Sequence, residues 1–111
     1  MEKITVCKIF SFSAAHFLPD YNGLCKNLHG HNWIITIWAH SEQLNEWGMV
    51  IDFTLIKEKI HSVLDHQNLN SVLPFRPTAE NIAKWCADQF SQVFKVEVQE
   101  SEGNVAIYET L

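Results

Sequence analysis

The 111 residues suit one domain, 1–111, large enough to bury roughly two-thirds of its unfolded surface, and 47% hydrophobic with 19% charged residues is the composition of a soluble globular protein. A formal net charge of −5, with Lys and Arg scattered singly, offers no basic footprint for nucleic acid, and no apolar run approaches the ~18 residues of a membrane span. Cys7, Cys25 and Cys86 form no CxxC and cannot pair off evenly, and Met1–Ile4 leads into no signal-peptide core, so the expectation is a cytoplasmic chain with reduced thiols.

Residues 3 to 16 alternate, with Ile4, Val6, Phe10, Phe12, Ala14 and His16 on one parity and Thr5, Ser11 and Ser13 on the other. The spacing predicts a long strand ending on His16. Pro19-Asp20-Tyr21-Asn22-Gly23 is turn chemistry. A second strand is predicted over 29–40, where His29 and His31 share the parity of Trp33, Ile35 and Ile37, so both rings leave one face. Returning as a hairpin, this strand brings His16 close to the pair. Three imidazoles with one position open are the arrangement of catalytic zinc; the alternative is a set of ordinary half-buried histidines. Cys25, four residues before His29, sits in a polar turn unsuited to a core thiol. It is either a fourth ligand that closes the site or a thiolate able to act as base or nucleophile.

Asp52 is a good N-cap for a helix running to about Leu64, with Phe53, Ile56, Ile60 and Val63 at spacings of three and four. Asp65-His66 follows. A carboxylate beside an imidazole can set its tautomer and raise its basicity, or the two can be a solvated helix-end pair. Pro74 and Pro77 break the chain, and Thr78 caps a second helix whose stripe of Ile82, Trp85, Cys86, Gln89, Phe90 and Val93 reads as core. His40 and His61 read as strand-end and exposed helix positions.

Phe94 to Glu100 alternates again and places Glu100 at the end of the apolar face. A carboxylate there needs a partner or a pocket, for instance an amidine-like N–H pair that it can accept bidentately; otherwise the strand frays and the group is wet. After the turn Ser101–Asn104, Val105 to Thr110 is the last strand. The order ββααββ predicts an α+β domain: a four-stranded antiparallel sheet of two hairpins with two helices on one face.

Taken together, Phe12-Ser13-Ala14-Ala15-His16, Cys25-x3-His29-Gly30-His31-Asn32, Val50-Ile51-Asp52-Phe53, Leu64-Asp65-His66-x2-Leu69-Asn70, Pro77-Thr78-x-Glu80-Asn81 and Glu100 with its following hydroxyl residue resemble the 6-pyruvoyltetrahydropterin synthase family. Within it they look most like the 6-carboxytetrahydropterin synthase branch of queuosine biosynthesis. The resemblance covers essentially the whole chain and implies the tunnelling fold, in which trimers stack as homo-hexamers. It further implies zinc on His16, His29 and His31, a catalytic group of Cys25, Asp65 and His66 assembled across a subunit interface, and Glu100 anchoring a pterin ring. The implied reaction converts 7,8-dihydroneopterin triphosphate to 6-carboxytetrahydropterin with loss of acetaldehyde and triphosphate, without a redox cofactor. The alternatives are the pyruvoyl product or a non-catalytic zinc- or pterin-binding module. The three residues between Cys25 and His29 match the carboxy-forming branch, and Leu28 stands where a folate-pathway variant carries Glu nearby. Phe17 departs from bacterial relatives, which often have a basic residue there.

Overall fold

The structure, a computed structural model, describes residues 2–110; the Met1 start and Leu111 end of the expected domain lie outside the described residues. Two 13-residue strands, β1 (Ile4–His16) and β2 (His29–Ser41), pair antiparallel over their whole length, from Ile4↔Ser41 to His16↔His29. A single 3-10 turn, Leu24–Lys26, lies in the loop between them.

The first helical run begins as α1 (Phe53–Ile56), where the Asp52 carboxylate accepts the Thr54 N–H at 2.9 Å. It passes into a π-helical segment, Lys57–His61, and closes as α2 (Ser62–Leu64). Then come β3 (Gln67–Asn68), α3 (Leu69–Val72), α4 (Ala79–Asp88), β4 (Val93–Ser101) and β5 (Asn104–Glu109). Thr78 caps α4 by accepting the Asn81 N–H. The second helix ends at Asp88, short of the predicted stripe, and Val93 instead opens β4.

The sheet corrects the expected architecture. It has five strands in the order β3-β1-β2-β4-β5, and it is mixed, because β3 runs parallel to β1 through Ala14↔Gln67 and Ala15↔Asn68. The α+β class and the two antiparallel hairpins stand; the count of four and the wholly antiparallel pairing do not. The physical reason is that the chain leaving α2 turns at His66, whose φ of 58° is left-handed, and is caught on the β1 edge by His66 N–H donating to the Ser13 carbonyl at 2.7 Å.

Phe12, Trp33, Ile35, Ile37, Val96 and Val98 bury one face of the sheet against Ile56, Ile60, Leu64, Leu69, Ile82 and Cys86. Burial pushes the Cys86 thiol far above the usual range, so it packs and does not react. The opposite face is bare. Ile9 and Ile107 stand 63% and 57% exposed at the two ends of one cross-strand row, Ile9↔Thr36↔Glu97↔Ile107, with Ile34 and Val105 in the next. Among the described residues, no helix is long and apolar enough to cross a membrane.

Candidate metal centre and its neighbours

Register builds the histidine cluster. Ala14 lies opposite His31 and His16 opposite His29, and directly opposed residues project to the same side, so all three rings leave the helix-covered face. Their centroids are 4.6 Å (His16–His29), 5.2 Å (His16–His31) and 4.8 Å (His29–His31) apart. Trp33 forms the floor, 5.0 Å from His16 and 5.7 Å from His31, fully buried and fixed by its indole N–H donating to the Ala14 carbonyl.

Two backbone carbonyls set the ring orientations. His16 Nδ1 lies 2.7 Å from the Pro77 carbonyl and His29 Nδ1 2.7 Å from the Asn27 carbonyl. A carbonyl only accepts, so each Nδ1 carries the proton and each Nε2 keeps its lone pair, the arrangement that orients imidazole as a metal ligand. Burial lowers the pKa of His16, the Pro77 bond and Glu100 opposing it, with His29 and His31 lowering it further. His16 is therefore held as the neutral form a metal requires.

One ring nitrogen from each of the three residues lies within 4.8 Å of the others, a cluster able to hold a metal ion. The residues fit one. His16 Nε2 and His31 Nε2 are buried and hydrogen-bonded to nothing among the described residues. An orphaned buried nitrogen costs about 1–3 kcal/mol, which a bound cation would offset. Glu100 closes the remaining side, its oxygens 3.6 Å from His16 Nε2 and 3.5 Å from His31 Nε2.

Cys25 lies elsewhere, exposed on the 3-10 turn, with its carbonyl accepting the Leu18 N–H at 2.7 Å. Its sulfur does not belong to the metal-competent cluster. Asp65 and His66 form a tight pair: His66 Nδ1 is 2.9 Å from Asp65 Oδ2, while Asp65 Oδ1 accepts the Ser13 N–H at 3.1 Å. The Ser13 bond first, and His66 second, hold the Asp65 carboxyl below its usual value. The left-handed backbone at His66 lets adjacent side chains meet, which neither helix nor strand permits. His66 itself is 82% exposed and lines an open groove of about 570 Å³ with Ser13, Asn32 and Asn68. His31, a member of the histidine cluster, lines the same groove.

Sequence reading missed three supports. Asn70 spans Phe17, accepting its N–H and donating to its carbonyl, both at 2.9 Å, and so pins the residue after His16. Arg76 reaches Asp20 at 3.2 Å. The Pro77 carbonyl carries no side-chain signature at all. Asn70 and Pro77 lie within motifs quoted above, but neither motif signals the hydrogen bond it makes; Arg76 left no trace.

Residues 5–110 match the family described as PTPS, 6-pyruvoyl tetrahydropterin synthase. Over 89 residues, covering 72% of this chain and 69% of the relative, the sequence is 40% identical to the 6-carboxy-5,6,7,8-tetrahydropterin synthase of Synechocystis sp.. It is 33% identical to the human 6-pyruvoyl tetrahydrobiopterin synthase, with 93% of this chain and 89% of that one aligned. Among solved structures, the 6-pyruvoyl tetrahydropterin synthase of Caenorhabditis elegans superposes with a TM-score of 0.78 at 27% identity, covering 100% of this chain and 98% of that one.

Proposed function

Because the chain belongs to the 6-pyruvoyl tetrahydropterin synthase family, we propose that it converts 7,8-dihydroneopterin triphosphate and one water molecule to 6-carboxytetrahydropterin, releasing acetaldehyde and triphosphate. The observation that carries the reading is the trio of converging imidazoles, two of them fixed through Nδ1 by backbone carbonyls. Zinc is the ion we assign to it, and when bound it supplies Lewis acidity that draws density from the substrate's side-chain oxygens and so acidifies the neighbouring C–H bonds.

The chain's own groups do the rest. Cys25, exposed on its turn, takes a proton from the side-chain carbon as thiolate. His66 holds a proton at Nε2, its Nδ1 tied to Asp65, and returns it on the other face. Glu100 accepts the N–H edge of the pterin ring with its two oxygens. Neither the Cys25 thiol nor the Asp65–His66 pair belongs to the histidine cluster of its own chain, and we take the working site to draw on neighbouring copies. The exposed Ile9, Ile34, Val105 and Ile107 on the bare face and the unpaired outer edges of β3 and β5 support a homo-oligomer, which we take to be a hexamer of two trimers. The free thiols suit the cytoplasm.

Two features favour the carboxy product: the three-residue gap Lys26–Leu28 and the 40% identity to a carboxy-forming relative. The 33% identity to the human pyruvoyl-forming relative supports the second reading, 6-pyruvoyltetrahydropterin. Mass spectrometry of the product from zinc-loaded protein and dihydroneopterin triphosphate separates them. A 6-carboxy mass with acetaldehyde is expected; a pyruvoyl mass moves the assignment to the second reading, and no turnover removes both.

A further inference from the structure

Glu100 meets two histidines at a distance that a hydrogen bond does not explain. Its oxygens stand 3.6 Å from His16 Nε2 and 3.5 Å from His31 Nε2, whereas a charge-assisted N–H···O contact closes to about 2.7–2.9 Å. On His16 the proton is on Nδ1, at the Pro77 carbonyl, so Nε2 turns a lone pair toward a carboxylate oxygen. Two lone pairs facing each other repel unless a cation lies between them. The spacing suits one, because donors about 2.0–2.1 Å from a tetrahedral ion lie about 3.4 Å from one another.

The backbone supports the same placement. Gln99 pairs with Val105 and Ser101 with Asn104, so Glu100 is the extra residue of a β-bulge and has no partner on β5. Bulges re-aim a side chain, and here the one re-aimed is the carboxylate that reaches two of the three clustered histidines.

We propose that Glu100 is the fourth protein donor of the metal centre in the ligand-free enzyme, and that a pterin ring opens the centre by taking this carboxylate onto its own N–H edge. The second half rests on the pterin role given to Glu100 above. A carboxylate that swings to set both oxygens on two ring N–H groups turns them away from His16 and His31. The fourth position then becomes free for the side-chain oxygens of the same molecule. Ring recognition thereby controls access to the ion, and water or buffer anions meet a filled coordination shell until the correct ring arrives.

The test uses the full chain loaded with Co²⁺, beside its Glu100→Gln variant, which preserves size. Visible d–d bands report the donor set without turnover. The two proteins are expected to differ in band position and intensity, and competition with a chromophoric chelator should show about tenfold or greater weakening of Co²⁺ binding in the variant. Adding 6-methyl-7,8-dihydropterin, which has the ring edge and no side-chain hydroxyls, should shift the wild-type bands and leave those of the variant unmoved. Identical bands and affinities in the two proteins overturn the proposal. If the bands differ but calorimetry shows the ring compound binding both proteins equally, the pterin role of Glu100 falls, and ring-controlled opening with it, while the fourth-donor assignment stands. If the ring compound binds only the wild type yet leaves its bands unmoved, the pterin role stands and the controlled opening is overturned.

Discussion

His16 Nδ1 and the Pro77 carbonyl oxygen lie 2.7 Å apart across 61 residues of sequence, and this bond ties the end of β1 to the entrance of α4. Through it a buried imidazole gains a fixed tautomer, and the metal-facing nitrogen gains a fixed direction. The segment leading into the helix thus shapes the candidate metal site without contributing a ligand.

Replacing His16 by Gln removes one of three converging donors from a position only 4% exposed. Metal content of the purified protein should fall from about one ion per chain to near zero, while far-ultraviolet circular dichroism stays that of a folded α+β chain. Full metal occupancy in the variant would place the ion elsewhere.

Thr78→Ala leaves every ligand in place and deletes the cap at the start of α4, where the Asn81 N–H loses its acceptor. A cost of about 1 kcal/mol is expected in urea unfolding. Because Pro77 immediately precedes the cap, metal affinity should drop as well, by up to about tenfold in chelator competition. Unchanged affinity would show that the Pro77 carbonyl holds its position without the cap.

Cys25→Ala separates the two roles the thiol could have. Its sulfur lies outside the histidine cluster, so the variant should keep its metal and its affinity for pterin. Turnover should fall by about 10²–10⁴-fold, the usual worth of a positioned acid–base group. Loss of metal on this substitution would make Cys25 a ligand.

Asp65→Asn keeps the Ser13 contact and weakens the hold on His66 Nδ1. kcat should drop by up to about 10⁴-fold with KM little changed, as expected for a residue that orients a base. A pH signature accompanies it. The Ser13 N–H and His66 lower the folded pKa of Asp65 beneath its ordinary 3.8. Its stabilising effect is therefore complete above that value and is lost as pH falls through the lowered pKa. The gap in urea midpoint between wild type and variant should be constant from pH 7 to 5 and narrow by pH 3.

How much of this is legible in the sequence depends on length and on what a side chain can signal. β1 and β2 run for 13 residues each, and β4 for 9, so period-two alternation has room to declare itself. β3 has 2 residues, fewer than a period needs, and its pairing follows from the left-handed turn at His66. The π-helical segment Lys57–His61 keeps the three-and-four spacing of Ile56 and Ile60, so it reads as ordinary helix. Parity places Glu100 on the apolar face, but its approach to His16 and His31 depends on a bulge and on strand order across β1, β2 and β4. His16 announces itself as an imidazole closing an alternating run; its partner, a backbone oxygen, is written in no residue type.

The pairing of His16 with His29 makes the two strand ends meet at the mouth of the 17–28 loop. The three clustered histidines are rooted in the ladder below that loop, whereas Cys25 is carried on it. The loop also carries Asn27, whose carbonyl holds the His29 ring, so changes of loop length that keep Asn27 in place move the thiol and leave the three imidazoles where they are. The ladder thus fixes the histidine cluster while the loop sets where the thiol stands, and the two can vary independently.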